Sequence, residues 1–377
     1  LVPVGDRVSR RQLAPGDMAI VGINAADGVC LPATPTSNNA MDEISFICFK
    51  SIPTGTRLWF TDNGYERQFA GQWGTTEGVI QLQRTGTALA AGTVTTVRIN
   101  GSGVVASISA GWTATNISGT MNLNSNGDQL FIFLANTGAT FSGTGNNGVF
   151  TNCVMLYGFS TVAPPNDWIS FQNSTQRSGI PPGMICFSMA PSVGSDWIKF
   201  VPNPDVFPAY ISRTQRQWII EIDDQTKWVN QGSCATYNTP SSTSPNYAGG
   251  FVFPIAVGTF VNGRWTGAKT ADWFDCRNWD DAEVPTAASN VVINSSYAST
   301  NSCVIGLNPA PPTANCATLT VTSPGFAKNL TIQNGGVLQV GGAVTIGNTG
   351  AISAFNGVIL GNGTTDGNIT ATSLTLS

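Results

Sequence analysis

The chain has 377 residues, only 10% of them charged, with 17 Lys and Arg against 21 Asp and Glu and no histidine. Ordinary soluble domains carry about 25% charged residues, and so thin a basic complement leaves no stripe to hold a phosphate backbone, which makes nucleic acid a poor partner. Without histidine no Ser-His-Asp or Cys-His device and no His-ligated zinc can be built, which leaves carboxylate, lysine, tyrosine or calcium chemistry.

The length suits two or three domains. No stretch approaches the roughly 18 apolar residues that cross a bilayer, so membrane insertion is not expected. The sequence starts at Leu1 and shows no charged-then-apolar leader, which fits a mature secreted protein. Eight cysteines, an even number without C-x-x-C spacing, argue for disulfides in an oxidising compartment. Pairing sequence neighbours gives Cys30 with Cys48, Cys153 with Cys186, Cys234 with Cys276, and Cys303 with Cys316, hence four bridges.

Along the chain, residues 1–15 read as an arm in which Arg7, Arg10 and Arg11 precede Pro15-Gly16, either solvated or docked as a strand elsewhere. Strand patterns follow at 18–23, 43–49, 57–61, 78–82, 94–99, 129–134, 154–159 and 218–222. Turn signals Asn63-Gly64, Asn100-Gly101, Asn126-Gly127 and Asn147-Gly148 divide them. The fold class is therefore all-β, with a sandwich-like domain over 16–256 that includes a linker-like loop at 236–250, rich in Ser, Thr, Pro, Asn and Gly.

Within that domain Asp62-Asn63 closes one strand, Glu77 opens the next, and Asp42 with Glu43 sits on a third. Oxygen donors at strand ends suit calcium, so Asp42, Glu43, Asp62, Asn63 and Glu77 are the candidate metal ligands; the alternative is a turn whose side chains bond their own backbone. Asp223-Asp224 and Asp280-Asp281 are adjacent pairs. On a strand such neighbours point to opposite faces and cannot flank a glycosidic bond, so no catalytic residue is assigned. A hydrolase assembled from distant carboxylates is the remaining enzymatic alternative.

Residues 257–377 form the second domain. Trp265, Trp273 and Trp279 fall within fifteen residues, as a sugar-stacking platform or, better, as a hydrophobic end cap, because an end layer needs large buried area. Beyond them Asn329-Leu330-Thr331-Ile332, Ala343-Val344-Thr345-Ile346 and Gly357-Val358-Ile359-Leu360 recur every 14 residues, as do Val337-Leu338-Gln339-Val340 and Ala351-Ile352-Ser353-Ala354. This predicts a Gly-rich, solenoid-like stack with a 14-residue turn, in which Leu330, Val344 and Val358 point the same way. Asp366 is the only charged residue after Lys328; an uncapped stack of this kind predicts that the polypeptide continues or that another subunit covers the end.

The run Trp265-Thr266-Gly267, Asp272-Trp273, Asn278-Trp279 and Val284-Pro285-Thr286, leading into Val291-Val292-Ile293 and Ala317-Thr318-Leu319-Thr320-Val321, resembles a module of large secreted cell-surface proteins of Bacteroidetes. The first domain is similar to N-terminal modules of such proteins through Gly16-Asp17-Met18-Ala19-Ile20-Val21-Gly22, Asp42-Glu43-Ile44-Ser45-Phe46, Ile52-Pro53-Thr54-Gly55-Thr56, Phe60-Thr61-Asp62-Asn63 and Glu77-Gly78. The resemblance implies type IX secretion, an adhesin-like role and a C-terminal sorting domain beyond Ser377. The expectation is thus a non-enzymatic, extracellular structural or adhesive protein, self-associating or bound to other surface proteins, with the arm on a neighbouring subunit in a filament. The alternative is a carbohydrate-binding protein whose Trp73, Trp112 or Trp168 stacks on a glycan surface.

Overall fold

The computed structural model describes residues 13–25, 41–66, 71–161, 168, 178–181, 184–191, 193–194, 196–201, 213–238, 245–256, 261–294, 301–306, 313–323, 330–332 and 336–348, with strands at 358–360, 368–370 and 373–376. The chain divides into two compact units, Leu1–Ala256 and Val257–Ser377.

In the first unit the strands are β1 (Met18–Asn24), β2 (Met41–Cys48), β3 (Arg57–Thr61), β4 (Val79–Arg84), β5 (Val94–Asn100), β6 (Val105–Ile108), β7 (Trp112–Ser118), β8 (Gln129–Ser142), β9 (Val149–Ser160), β10 (Ser188–Met189), β11 (Ile198–Phe200) and β12 (Trp228–Asn230). They build two six-stranded sheets, ordered β12-β11-β1-β2-β5-β6 and β10-β9-β8-β3-β4-β7. Ile20, Phe46 and Val97 of the first sheet share one buried core with Phe60, Ile80 and Ile132 of the second. The rings of Phe46 and Phe60 lie 5.1 Å apart across it. A second apolar layer, with Trp73 against Phe131 and Phe133, includes Trp59 and Tyr65.

Residues 218–222 are not a strand. They end helix α1 (Gln215–Ile222), which starts with a capping box: the Gln217 N–H donates to Thr214 Oγ1 at 3.3 Å and the Thr214 N–H donates to Gln217 Oε1 at 2.9 Å. Trp218, Ile219 and Ile222 then fall on one buried face, the i, i+1, i+4 pattern that a short apolar run shares with a strand. The linker-like segment is also pinned at both ends. Helix α2 (Cys234–Asn238) buries Tyr237, and Tyr247 is buried with its hydroxyl donating to Phe200 O at 2.6 Å. Of the arm, residues 1–12 lie outside the described residues, whereas Leu13 is buried.

The second unit holds β13 (Asn290–Ile293), β14 (Cys303–Ile305), β15 (Ala314–Cys316), β16 (Thr318–Ser323), β17 (Leu330–Ile332), β18 (Val337–Val340), β19 (Ala343–Asn348), β20 (Val358–Leu360), β21 (Asn368–Thr370) and β22 (Ser373–Leu376). They form three sheets, β13-β16-β19-β22, β14-β17-β20 and β15-β18-β21, parallel throughout. Successive strands visit the sheets in turn. The residues between cross-paired strands are parallel-ladder neighbours such as Val291 with Leu319 and Leu319 with Val344. Alternation is clean where it is described: Leu338 and Val340 are buried while Gln339 is exposed.

The 14-residue turn is corrected. Leu330 pairs with Val358, 28 positions on, in one sheet, while Val344 belongs to another, where it pairs with Leu319 and Leu374. Leu338 pairs with Ile369, and residues 351–354 lie outside the described residues. Three strands therefore make one repeat of 24 to 31 residues. The 14-residue step aligned Leu330 with Val344, both buried but in different sheets, which self-similarity cannot tell apart.

Candidate functional site

Strands β8, β3 and β4 are antiparallel neighbours, with Thr61 opposite both Val79 and Phe131. The end of β3 therefore meets the starts of β4 and β8. That topology alone brings together Asp62, just after β3, Glu77, just before β4, and Asp128, just before β8. Asp62 and Asp128 both accept backbone N–H groups, whereas the Glu77 carboxylate accepts from a side chain. Asp62 Oδ1 accepts from Gly78 N–H at 2.7 Å and its Oδ2 from Asn122 N–H at 2.8 Å. Asp128 accepts from the N–H groups of Gln129 at 2.8 Å and Asn124 at 3.1 Å. Gln129 Nε2 donates to the Asp62 carbonyl and, at 3.4 Å, to Glu77 Oε2.

The loop after β7 closes the site from one side. A Cβ at Gly78 would stand 2.2 Å from Met121 N and one at Gly119 1.9 Å from Glu77 O, so two glycines let residues 119–122 lie flat on 77–78. Asp42, from the other sheet, pins this loop by accepting from Leu123 N–H at 2.7 Å. Asn63 is buried beside it, its Nδ2 donating to Thr61 Oγ1 at 3.0 Å and its Oδ1 accepting from Glu77 N–H at 3.1 Å.

Burial dominates the electrostatics. It pushes Asp62 up to about 7 against the backbone donors that pull it down. Burial and then the Asp62 charge push Glu77 up to about 8. Asp128 is raised well above the carboxylate range, again by burial first and then by Asp62 and Glu77. The three side chains thus sense one another's charge, although among the described residues no three acidic or cysteine side chains form a ready metal shell.

Of the five candidate ligands, the structure gathers Asp42, Asp62, Asn63 and Glu77 around this strand end and turns Glu43 away. Adjacent residues of β2 face opposite ways. Glu43 instead meets Arg98 Nε at 2.9 Å, and its charge also acts on Tyr237 and on the buried Lys199. Lys199 is pushed down to about 8 by burial, with Glu43 acting against the shift, and donates to Tyr237 O and to Pro245 O at 2.9 Å. Asp128 and Gln129 are the members that the sequence reading missed. Their signal is an acid directly after Asn126-Gly127 and directly before a strand.

The acidic pairs are structural. The Tyr157 hydroxyl donates to Asp223 Oδ1 at 2.9 Å, and Asp224 caps the 3-10 turn that follows. Asp280 binds Arg264 Nη2 at 2.6 Å, and Asp281 accepts from Gly263 N–H at 2.9 Å.

The tryptophans are structural too. Trp73 and Trp112 are buried, which removes them as sugar-stacking surfaces, and Trp168 is half-buried against Phe131 at 5.9 Å. Trp265, Trp273 and Trp279 are fully buried in the core of the second unit. The Trp279 ring stands 5.0 Å from Trp265 and 4.8 Å from Trp273, edge to face. Their chain continues the ladders: Arg264 bridges Val292 and Asp272 bridges Val304, both parallel. Asn278 locks the turn between them, accepting from the N–H groups of Lys269 and Thr270 at 2.9 Å each.

The cysteine pairing is corrected in three places. Cys48, Cys153, Cys303 and Cys316 are free, so Cys30–Cys48, Cys153–Cys186 and Cys303–Cys316 do not form, and four bridges are impossible. Cys186 and Cys276 each take part in a disulfide. Cys30 and the side chain of Cys234 lie outside the described residues. The free thiols make a testable order. Burial raises Cys48 to about 12 and Cys153 to about 11, so all react slowly. Native alkylation followed by mass spectrometry is expected to modify half-buried Cys153 first, and Cys48, Cys303 and Cys316 only after unfolding. Fast native labelling of Cys303 or Cys316 would contradict their burial.

Residues 264–371 match a family model described as Domain of unknown function (DUF8693). The match begins at the bridging Arg264 and takes in the tryptophan segment and strands β13 to β21, and it leaves out β22 and the acidic cluster. No curated protein and no solved structure matches the chain.

Proposed function

We propose that this chain is a non-catalytic, extracellular structural or adhesive protein: a β-sandwich followed by a tryptophan-capped β-solenoid that contributes shape and surface rather than chemistry. The carrying observation is where the chemistry-bearing side chains go. Both acidic pairs hold a tyrosine hydroxyl, backbone or arginine, and eight tryptophans are buried while Trp168 and Trp197 are half-buried. In the second unit three parallel sheets visited in rotation enclose one apolar core, the arrangement a solenoid requires, and segment 263–273 adds a partial turn at its start. The surface-protein resemblance read from the sequence points the same way, toward secretion and self-association or binding to other surface proteins.

The burial of Trp73 and Trp112 tells against the carbohydrate-binding alternative and leaves it the half-buried Trp168. Cell fractionation of the native host with electron microscopy of its surface, alongside a glycan array, is the test. Surface display without glycan binding is expected. Retention in the cytosol, or turnover of a glycan, would overturn the reading.

A second reading concerns calcium. The ligand atoms at the Asp62 site are all oxygens, which suits a hard cation, and the Asp62 and Asp128 carboxylate oxygens keep a lone pair beyond their backbone bonds. We read Asp62, Glu77 and Asp128, with the Asp62 carbonyl, as the ligands, because their mutual repulsion is what a cation would relieve.

A further inference from the structure

Among the described residues the two sheets of the first unit have four edges, and three of them are short: β10 has two residues, β12 three and β6 four. Short edges are a common way to prevent strand addition. The fourth, β7, has seven residues, Trp112-Thr113-Ala114-Thr115-Asn116-Ile117-Ser118, with no charge and no proline, and Thr113 to Ile117 are exposed without interruption. Among the described residues it pairs with β4 alone, on one side.

The direction of its backbone groups follows from its neighbour. Arg84 spends its N–H on Thr56 O at 2.9 Å and its carbonyl on Gly55 N–H at 2.7 Å, both toward β3, while the Thr85 N–H goes to Gly111 O at 2.9 Å. An antiparallel ladder alternates, so Gln81 and Gln83 bond Thr115 and Thr113, their partners in register. The N–H and C=O groups of Ala114 and Asn116 therefore point outward. Ile117 is the extra residue where the register shifts between Val79 and Ile80, so the regular edge spans 112–116.

We propose that this edge pairs with the same edge of a second copy, antiparallel about a two-fold axis at Ala114, joining two six-stranded sheets into one. In that register Ala114 faces Ala114 of the partner and Trp112 faces Asn116, the pairs whose amides point outward. Thr113 faces Thr115 on either side, close non-hydrogen-bonded pairs of β-branched residues of the favourable cross-strand kind. A strand without charge meets its own copy without repulsion, and the two-fold makes the contact closed and self-complementary. This deepens the structural reading above by naming the surface through which copies meet, and it does not involve the proposed solenoid.

Sedimentation equilibrium of the whole chain is the test. The unaltered protein is expected to be dimeric. Ala114→Pro removes an outward N–H that β4 does not use, and is expected to give a monomer with an unchanged melting temperature. Thr113→Lys with Thr115→Lys sets like charges opposite each other and should weaken the dimer about tenfold or more. Thr113→Lys with Thr115→Glu sets opposite charges there and should restore it, a rescue that a merely unfolded variant cannot show. Dimers or larger assemblies that persist in Ala114→Pro and in the double-lysine variant would overturn the β7 contact and leave self-association standing. A monomeric unaltered protein at high micromolar concentration would overturn both.

Discussion

Replacing Trp279 with alanine is expected to destabilise the second unit by about 3–5 kcal/mol, the range for truncating a large buried aromatic. Trp279 has no exposed surface. It packs edge to face on both other cap tryptophans, and its indole N–H donates to Trp273 O at 2.8 Å. Removal therefore opens a cavity and orphans a buried carbonyl at the one place where the parallel ladders begin. Hydrogen exchange is the measurement: amides of β13 and β14 should lose protection first, because Val292 and Val304 bond the cap segment directly. An equal loss across the strands of the first unit would show that the cap is not what holds this end. Replacement by phenylalanine should recover much of the loss, since it keeps an aromatic layer while giving up the N–H bond.

The burial of Trp265, Trp273 and Trp279 was legible because tryptophan leaves little room for ambiguity. Three such residues beside polar turns must either be displayed or buried, and an apolar strand stack immediately downstream needs a lid. The strands were legible for a related reason: Arg57–Thr61 and Val94–Asn100 alternate or run apolar between Asn-Gly and Gly turns. Segment 218–222 was misread because Trp-Ile-Ile-Glu-Ile satisfies both periods, and the deciding signal lay upstream in Thr214 and Gln217. The spacing of the parallel strands was hidden by the likeness of Leu330 and Val344, both buried but in different sheets. The cysteine pairing failed because sequence adjacency says nothing of direction. Cys303 and Cys316 are both buried in the core of the second unit, in different sheets, as ordinary small apolar side chains.

The acidic site was half legible. Asp62 and Glu77 flank consecutive strands, so a hairpin suffices to join them. Asp128 needed knowledge that β8 lies beside β3, a non-local pairing that no spacing encodes. Glu43 was lost for the converse reason, since one pleat separates it from Asp42.

That site carries the last expectation, in which pH and calcium act on stability in opposite directions. Asp62 and Glu77 titrate in the folded chain at about 7 and about 8, and Asp128 well above its ordinary value, whereas carboxyls in the unfolded chain titrate near 4. Between those limits the folded state holds more protons than the unfolded one, so stability falls as pH rises. Any advantage from this cluster is therefore complete below about pH 4 and is lost as pH climbs through about 7 and 8. In calcium-free buffer the melting temperature of the first unit should drop between pH 5 and pH 9. Glu77→Gln should flatten that slope, because it removes one charge while leaving Gln129, Asp62 and Asp128 in place. Calcium at pH 8 should restore the melting temperature in the unaltered chain and do less for Glu77→Gln, because the cation substitutes for the protons that high pH strips away. A pH slope that Glu77→Gln flattens but calcium leaves untouched would assign the cluster to holding residues 119–129 against the strand ends and remove the calcium reading. Absence of the slope itself would show that the three carboxylates do not share one field.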